Sequence, residues 1–390
     1  MVQREPDSPT DRTDRRAFLK AGAAAGALGL TGLAGCAGGG GGGGGGGETA
    51  DSIKAFVWEG WGPVLDAFTE ETGIEVEQEN ATSTNNMFTK VKNAPGEYDV
   101  VTPNSGYAAR FRDADLIQPL ADSKEAFIEE VPNYENTFDY FRQGTIARHL
   151  SDDSGAWYGA PPRFGLYGLA HDSNDIDGSK LQSSADIWEN KSAWQGDVGV
   201  NVDEVHSITH AVRAAGHTDM LRGEEMKVTG QAWQETRDLF LELADFTRAM
   251  FESEAQFGRA MKSDSYNVGI GPGRNDVINL IKNGNENFEY TNPSEGAIGW
   301  TEAMLVPKQS EKAGAAKEFM NFLLKPETGA QLATADLAPS VVEGAKEHMS
   351  QEEVDLFYIP PDVVEDVIQD KPFAEPQKWK DLMNEFRSKL

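Results

Sequence analysis

Residues 295–332 read EGAIGWTEAMLVPKQSEKAGAAKEFMNFLLKPETGAQL, and this stretch decides the fold. Its opening run, 297–306, alternates along the chain and predicts a strand that Pro307 ends. Residues 315–324 then carry Ala316, Phe319, Met320 and Leu323 at spacings of three and four, which predicts an amphipathic helix. Pro326 breaks it, and a second short helix is expected after that break. In a strand, side chains two apart share a face, so Trp300 and Glu302 are expected to point the same way. An indole face beside a carboxylate suits an organic cation, which is drawn to the ring quadrupole and to the negative charge. The same pair also fits a core tryptophan next to a solvated glutamate, and at this point both readings stand.

Upstream, the chain alternates between strand and helix patterns. IKAFVW (53–58) is an apolar strand, and EGWG (59–62) is a turn. Pro63 sits well at the first position of a helix whose apolar face is Val64, Leu65 and Phe68, and Gly73 caps it. A second strand over 74–79, a helix over 85–92, a strand over 98–103 and a helix over 108–113 follow. This βαβαβ order implies a parallel sheet with ligand loops at the carboxyl ends of its strands. Trp58, Trp61, Asn104 and Ser105 all fall on such ends. Further strands are expected over 196–203 and 267–273, helices over 208–215, 231–246 and 276–281, and an acidic helix over 127–140. Gly269, Gly271 and Gly273 fail the dinucleotide pattern because position 274 is Arg, so they read as a strand-to-helix turn. The tail has helical spacing at Trp379, Leu382, Met383 and Phe386.

The N-terminal region reads as an export signal. A polar start precedes Arg15-Arg16, and an apolar, Gly- and Ala-rich segment over 21–33 follows. That segment is too short and too weakly apolar for a mature membrane span, which needs about 20 apolar residues. The paired arginines resemble a twin-arginine signal, and LAGC (33–36) resembles a lipobox, in which Cys36 would carry the lipid. Cys36 is the only cysteine of the chain, so no internal disulfide is possible. The expected organisation is a signal peptide with lipobox over 1–36 and a glycine-rich tether over 37–50. The first lobe is then 51–166 plus 301–343, and the second is 167–300 plus 344–390.

The chain has 64 acidic against 35 basic residues and a formal net charge of −29. Nucleic acid is disfavoured as a partner, since phosphate binding needs a basic surface. Acid spread along the whole chain resembles the solvated surface of a halophile's protein, and with the export signals it points to a haloarchaeal lipoprotein. Zinc-protease, nucleophile-elbow, phosphate-loop and CxxC motifs are missing, and the single thiol lies in the signal region. His206 and His210 are spaced like two ligands on one helix face but have no acid or thiol at metal spacing, so a structural role is expected and no metal. Asn80-Ala81-Thr82 and Asn190-Lys191-Ser192 fit the glycosylation sequon.

Taken together, W-x-x-W at 58–61, FTEETGIEV at 68–76 and YDVVTPNS at 98–105 resemble the spermidine/putrescine-binding proteins of ABC importers. So do Gly159-Ala160-Pro161 with Gly165, ADIW at 185–188, and the opening stretch itself, and the likeness spans about 53–390. The resemblance implies an α/β, two-lobed periplasmic-binding-protein fold (type II), with parallel-rich sheets flanked by helices and a ligand cleft between the lobes. It implies that Trp58, Trp61, Asn104 or Ser105, Asp203, Trp300 and Glu302 face the ligand. His206 stands where the family has another acid, and Pro272 and Leu337 stand where it has aromatics. Arg163, in PPRFG, brings a cation to the first crossover; it would repel a polyamine but clamp a carboxylate, and a surface ion pair is the other reading.

The expected function is capture of a polyamine-like amine outside the cell and its delivery to ABC permease subunits. The protein would be a monomer, tied to the outer face of the membrane by its lipid, with no cofactor and no reaction. Within the same fold, a zwitterion such as an amino acid or aminobutyrate, or a thiamine-like cation, stays open as the ligand. An exported hydrolase is the reading from another class.

Overall fold

The computed structural model describes residues 50–223 and 225–390. The expected signal peptide, Cys36 and nearly all of the glycine tether lie outside the described residues. Among the described residues the strands are β1 (Ser52–Val57), β2 (Glu75–Asn80), β3 (Val100–Val101), β4 (Gly159–Ala160), β5 (Phe164–Asp172), β6 (Val198–Asn201), β7 (Thr247–Phe251), β8 (Val268–Gly273), β9 (Phe288–Thr291), β10 (Ile298–Thr301), β11 (Met304–Leu305) and β12 (Ile368–Gln369). They form a five-stranded sheet, in the order β2-β1-β3-β11-β4, and a seven-stranded sheet, β12-β10-β5-β8-β6-β7 with β9 on β5.

The first sheet follows from the βαβ pattern. β1 is apolar and buried at Ala55, Phe56 and Val57, as a strand between two parallel neighbours should be. β2 (EVEQEN) takes the edge, where its carboxylates stay wet. The helix Gly62–Thr72 carries Pro63 in its first turn and ends at Gly73 with φ 77°. Its Phe68 packs edge-on against Phe319 at 5.0 Å and Phe322 at 5.4 Å, on the helix Ala313–Leu323. Burying a side chain of that size contributes about 1.5–3 kcal/mol. Ile359, Val364 and Val367 join this same core.

The second sheet buries Val198, Val200 and Ile270 against the helices Glu204–Ala214, Gly230–Leu243 and Pro376–Arg387. Trp379, Leu382, Met383 and Phe386 form the buried face of that last helix, as their spacing predicts.

Three sequence expectations need correction. The strand expected over 297–306 is two strands in two sheets, β10 and β11. The break comes from a change of hydrogen-bond partner: Glu302 N donates to Arg163 O at 3.2 Å, whereas Ala303 N donates to Pro103 O at 2.9 Å. The helix expected over 127–140 is three short pieces, Lys124–Glu130, Pro132–Asn136 and Asp139–Arg142, because Pro132 cannot continue the first. The strand expected over 98–103 pairs only at Val100–Val101.

The chain therefore leaves the first sheet between β4 and β5 and returns between β10 and β11. The two crossings run side by side, with Trp300 opposite Gly165 and Thr301 opposite Phe164. It crosses again after Ser340, which bridges Arg163, to reach β12 beside β10. Among the described residues no helix is long and apolar enough to cross a membrane.

Candidate ligand cleft

The carboxyl ends of strands from both sheets meet at a cavity of about 660 Å³. Trp58 and Glu59 directly follow β1, and the loop after β3 supplies Asn104. From the second sheet come Asn201 at the end of β6 and Asp203 after it, Glu252 and Glu254 after β7, and Asn275 and Asp276 after β8. The crossings themselves contribute Arg163, Trp300 and Glu302.

Trp58 is held by its indole Nε1, which donates to Thr102 O at 2.7 Å. Asn104 bridges Glu302 through its backbone, and its Nδ2 lies 3.4 Å from Asp370 Oδ2. Asp203 is the N-cap of the helix Glu204–Ala214; its Oδ1 accepts from Val205 N at 2.8 Å and His206 N at 3.3 Å. The His206 ring stacks on Tyr167 with centroids 3.4 Å apart. Burial lowers the His206 pKa, opposed by the charge of Asp203.

Arg163 and Glu302 are buried together. Arg163 Nε and Nη2 both donate to Glu302 Oε1, at 3.0 and 2.8 Å, and Nη1 meets Asp336 Oδ2. The guanidinium lies 5.5 Å from the Trp61 ring and 5.8 Å from the Trp300 ring. Burial raises the Glu302 pKa, and the Arg163 charge pulls it back. Of the two sequence readings of Arg163, neither a solvent-exposed ion pair nor a free carboxylate clamp describes it: the side chain is 2% exposed and already engaged by two carboxylates.

Trp58, Asn104, Arg163, Asp203, His206, Trp300 and Glu302 thus come together on one cavity. Trp61 and Ser105 do not reach its lining. Trp61 is fully buried in the first core, 6.3 Å from Phe319, because it stands at the start of a helix whose inner face it joins. Ser105 is buried too, its Oγ 3.2 Å from His149 Nδ1. His210 does not join His206; it is buried with Nδ1 3.1 Å from Ser184 Oγ. Among the described residues no group of three His, Cys, Asp or Glu could hold a metal.

Sequence reasoning missed several lining residues. Asp276 caps its own helix, its Oδ2 accepting from Gly273 N at 2.9 Å. Burial and the nearby Glu254 push its carboxyl up to about 7. The Gly-x-Gly-x-Gly turn followed by an acid three residues into the helix was a readable signal for it. Asp336 ends the helix Pro326–Asp336, and nothing in the local sequence marks it. Of the twenty lining residues, eight are Asp or Glu and two are Arg, so the cavity is strongly acidic. Trp58 and Trp300 add aromatic faces, and acidic groups beside indoles are a combination that can hold an organic cation.

The family described as bacterial extracellular solute-binding protein matches residues 64–355. The chain is 24% identical over 307 residues to spermidine/putrescine-binding periplasmic protein 1 of Haemophilus influenzae, covering 77% of this chain and 78% of that one. It is 24% identical over 283 residues to the putrescine-binding periplasmic protein SpuD of Pseudomonas aeruginosa, covering 69% and 71%. The crystal structure of the spermidine/putrescine ABC transporter substrate-binding protein PotD from Streptococcus pneumoniae superposes with a TM-score of 0.74 at 22% identity, over 87% of this chain and 99% of that one. That likeness shows the fold, the two-lobed α/β architecture of periplasmic binding proteins, in agreement with the sequence.

Proposed function

This chain belongs to the bacterial extracellular solute-binding protein family, and from that premise we propose that it captures an amine of the putrescine–spermidine class outside the cell and delivers it to an ABC permease. The observation that carries this reading is the make-up of the cleft, eight acidic side chains against two arginines. One of those arginines, Arg163, is already neutralised by Glu302 and Asp336, which favours a simple amine over a zwitterion needing a carboxylate clamp. The names of the relatives agree with a polyamine.

In this reading Trp58 and Asn104 approach the ligand from the ends of the first sheet, and Asp203, His206 and Asp276 from the ends of the second. Trp300 and Glu302 stand at the crossing. An ammonium over an indole gains about 0.5–2 kcal/mol, and a hydrogen bond to a carboxylate about 1.5–3 kcal/mol. The two bodies, one built on each sheet, close on the ligand by hinge motion; the segment expected in the second lobe from 344 packs through Ala345, Ile359, Val364 and Val367 on the first core, and only from Ile368 does the tail join the second. The protein acts as a monomeric carrier without a reaction or cofactor of its own. Arg15-Arg16 and the LAGC sequence ending at Cys36 support export and a lipid anchor on the outer face of the membrane, and the acid-rich surface supports a haloarchaeal setting.

The test is mass spectrometry of the ligand released from the purified, denatured protein, followed by calorimetry with putrescine and spermidine. A released amine and a saturable heat are expected. An anion or sugar in the released fraction, with no heat from either amine, would end this reading.

A further inference from the structure

Four side chains surround the guanidinium of Arg163: the indoles of Trp61 and Trp300 and the carboxylates of Glu302 and Asp336. Two aromatic faces and two carboxylates around one cation is the chemistry that holds an organic ammonium group. Here the cation is part of the chain. The arrangement is built: Gly60 has φ 92°, and a Cβ placed on it would stand 2.1 Å from Asp336 Oδ1, so the turn is kept bare where Asp336 passes. It also has spare capacity, because Glu302 Oε2 is buried without a hydrogen-bond partner. Arg163, Trp300, Glu302 and Asp336 all line the cleft, so this seat is continuous with the space left for the ligand.

We propose that Arg163 is a tethered internal cation that fills an ammonium seat at the crossing end of the cleft, and that by filling it Arg163 limits how long a polyamine the protein accepts. The length limit rests on the amine reading above; the seat does not. A ligand with a third ammonium group finds the place taken, whereas a diamine needs only the remainder of the cleft. Arg163 is therefore a specificity-determining residue that works by occupancy.

The experiment compares the wild-type protein, R163A and R163A/E302Q by calorimetry with putrescine and spermidine. We expect the preference for spermidine over putrescine to rise about tenfold in R163A and to fall back in R163A/E302Q, where the seat has lost a charge. An unchanged preference in folded R163A overturns the proposal. If R163A does not fold alone, spermidine should restore a cooperative melt at concentrations where putrescine does not; equal rescue by both, or none, overturns it. Ethylguanidinium, a free copy of the missing head group, separates the two ideas. If the wild-type protein binds neither amine, the amine reading fails. Saturable stabilisation of R163A by ethylguanidinium, absent in the wild type, then upholds the seat, and no stabilisation overturns it.

Discussion

Gly165 lies directly beneath the indole of Trp300: a Cβ built on Gly165 would stand 2.4 Å from ring atoms Cε2 and Cζ2. The two residues are register partners across the β5–β10 ladder, so the bare glycine sets where the ring rests at the cleft. Gly165→Ala must push the indole aside, since non-bonded carbons do not approach that closely. Putrescine affinity should fall about tenfold, worth about 1.4 kcal/mol, with unchanged far-ultraviolet circular dichroism. Calorimetry reads this directly, and an unaltered dissociation constant would remove Trp300 from the ligand site.

Glu302→Gln should act on stability before it acts on binding. Glu302 is 2% exposed and holds Arg163 through two hydrogen bonds to one oxygen. Removing one partner of a buried ion pair costs about 3–5 kcal/mol; Asp336 remains beside Arg163, so we expect the lower end. A lower urea midpoint at constant slope is the readout. A variant as stable as wild type would mean that the pair contributes nothing to the fold.

How much of this was legible depends on the distance over which each feature is encoded. The βαβ order of the first sheet is local, and so is the placing of Trp58 and Asn104 at strand ends. Trp300 and Glu302 reach one cavity as period-two spacing suggests, although the strand between them breaks. The break itself was hidden, because it reflects hydrogen bonds to Arg163 and Pro103 in distant segments. The pairing of Arg163 with Glu302, 139 residues away, was equally invisible, and so was the arrival of Asp336. Trp61 misled because both tryptophans of W-x-x-W follow a strand end, yet the second already belongs to the buried face of a helix.

Closure of the cleft should be visible in solution. Side-by-side crossings at Gly165 and Trp300 join the two sheets, which is the layout of a hinge. X-ray scattering should give a smaller radius of gyration with saturating ligand than without. Identical curves would count against closure.

Cys36 should carry the lipid. It follows Leu33, Ala34 and Gly35 directly after the apolar segment and has no other cysteine to pair with. Cys36→Ser should appear in the medium or accumulate unprocessed, as followed by fractionation and immunoblotting. A variant that is still processed and membrane-bound would refute the anchor.

Asp370 gives the chain a pH dependence of predictable sign. It is 8% exposed, and its Oδ1 is buried without a partner. Burial pushes its carboxyl up to about 7, the nearby charge of Asp203 adds to this, and the hydrogen bond from Asn104 opposes it. An unfolded aspartate ionises near 3.9, so between about pH 4 and 7 the folded chain holds a proton that the unfolded chain has released. The stabilising contribution is therefore full below about pH 4, declines as pH rises towards 7 and is flat above. Asparagine resembles the neutral acid in shape, so Asp370→Asn should match wild type in acid and exceed it in base. A displacement of even one pKa unit is worth about 1.4 kcal/mol, so at about pH 8 the variant should gain at least that much in urea unfolding. An equal stability difference at about pH 4 and about pH 8 would show that Asp370 ionises alike in both states.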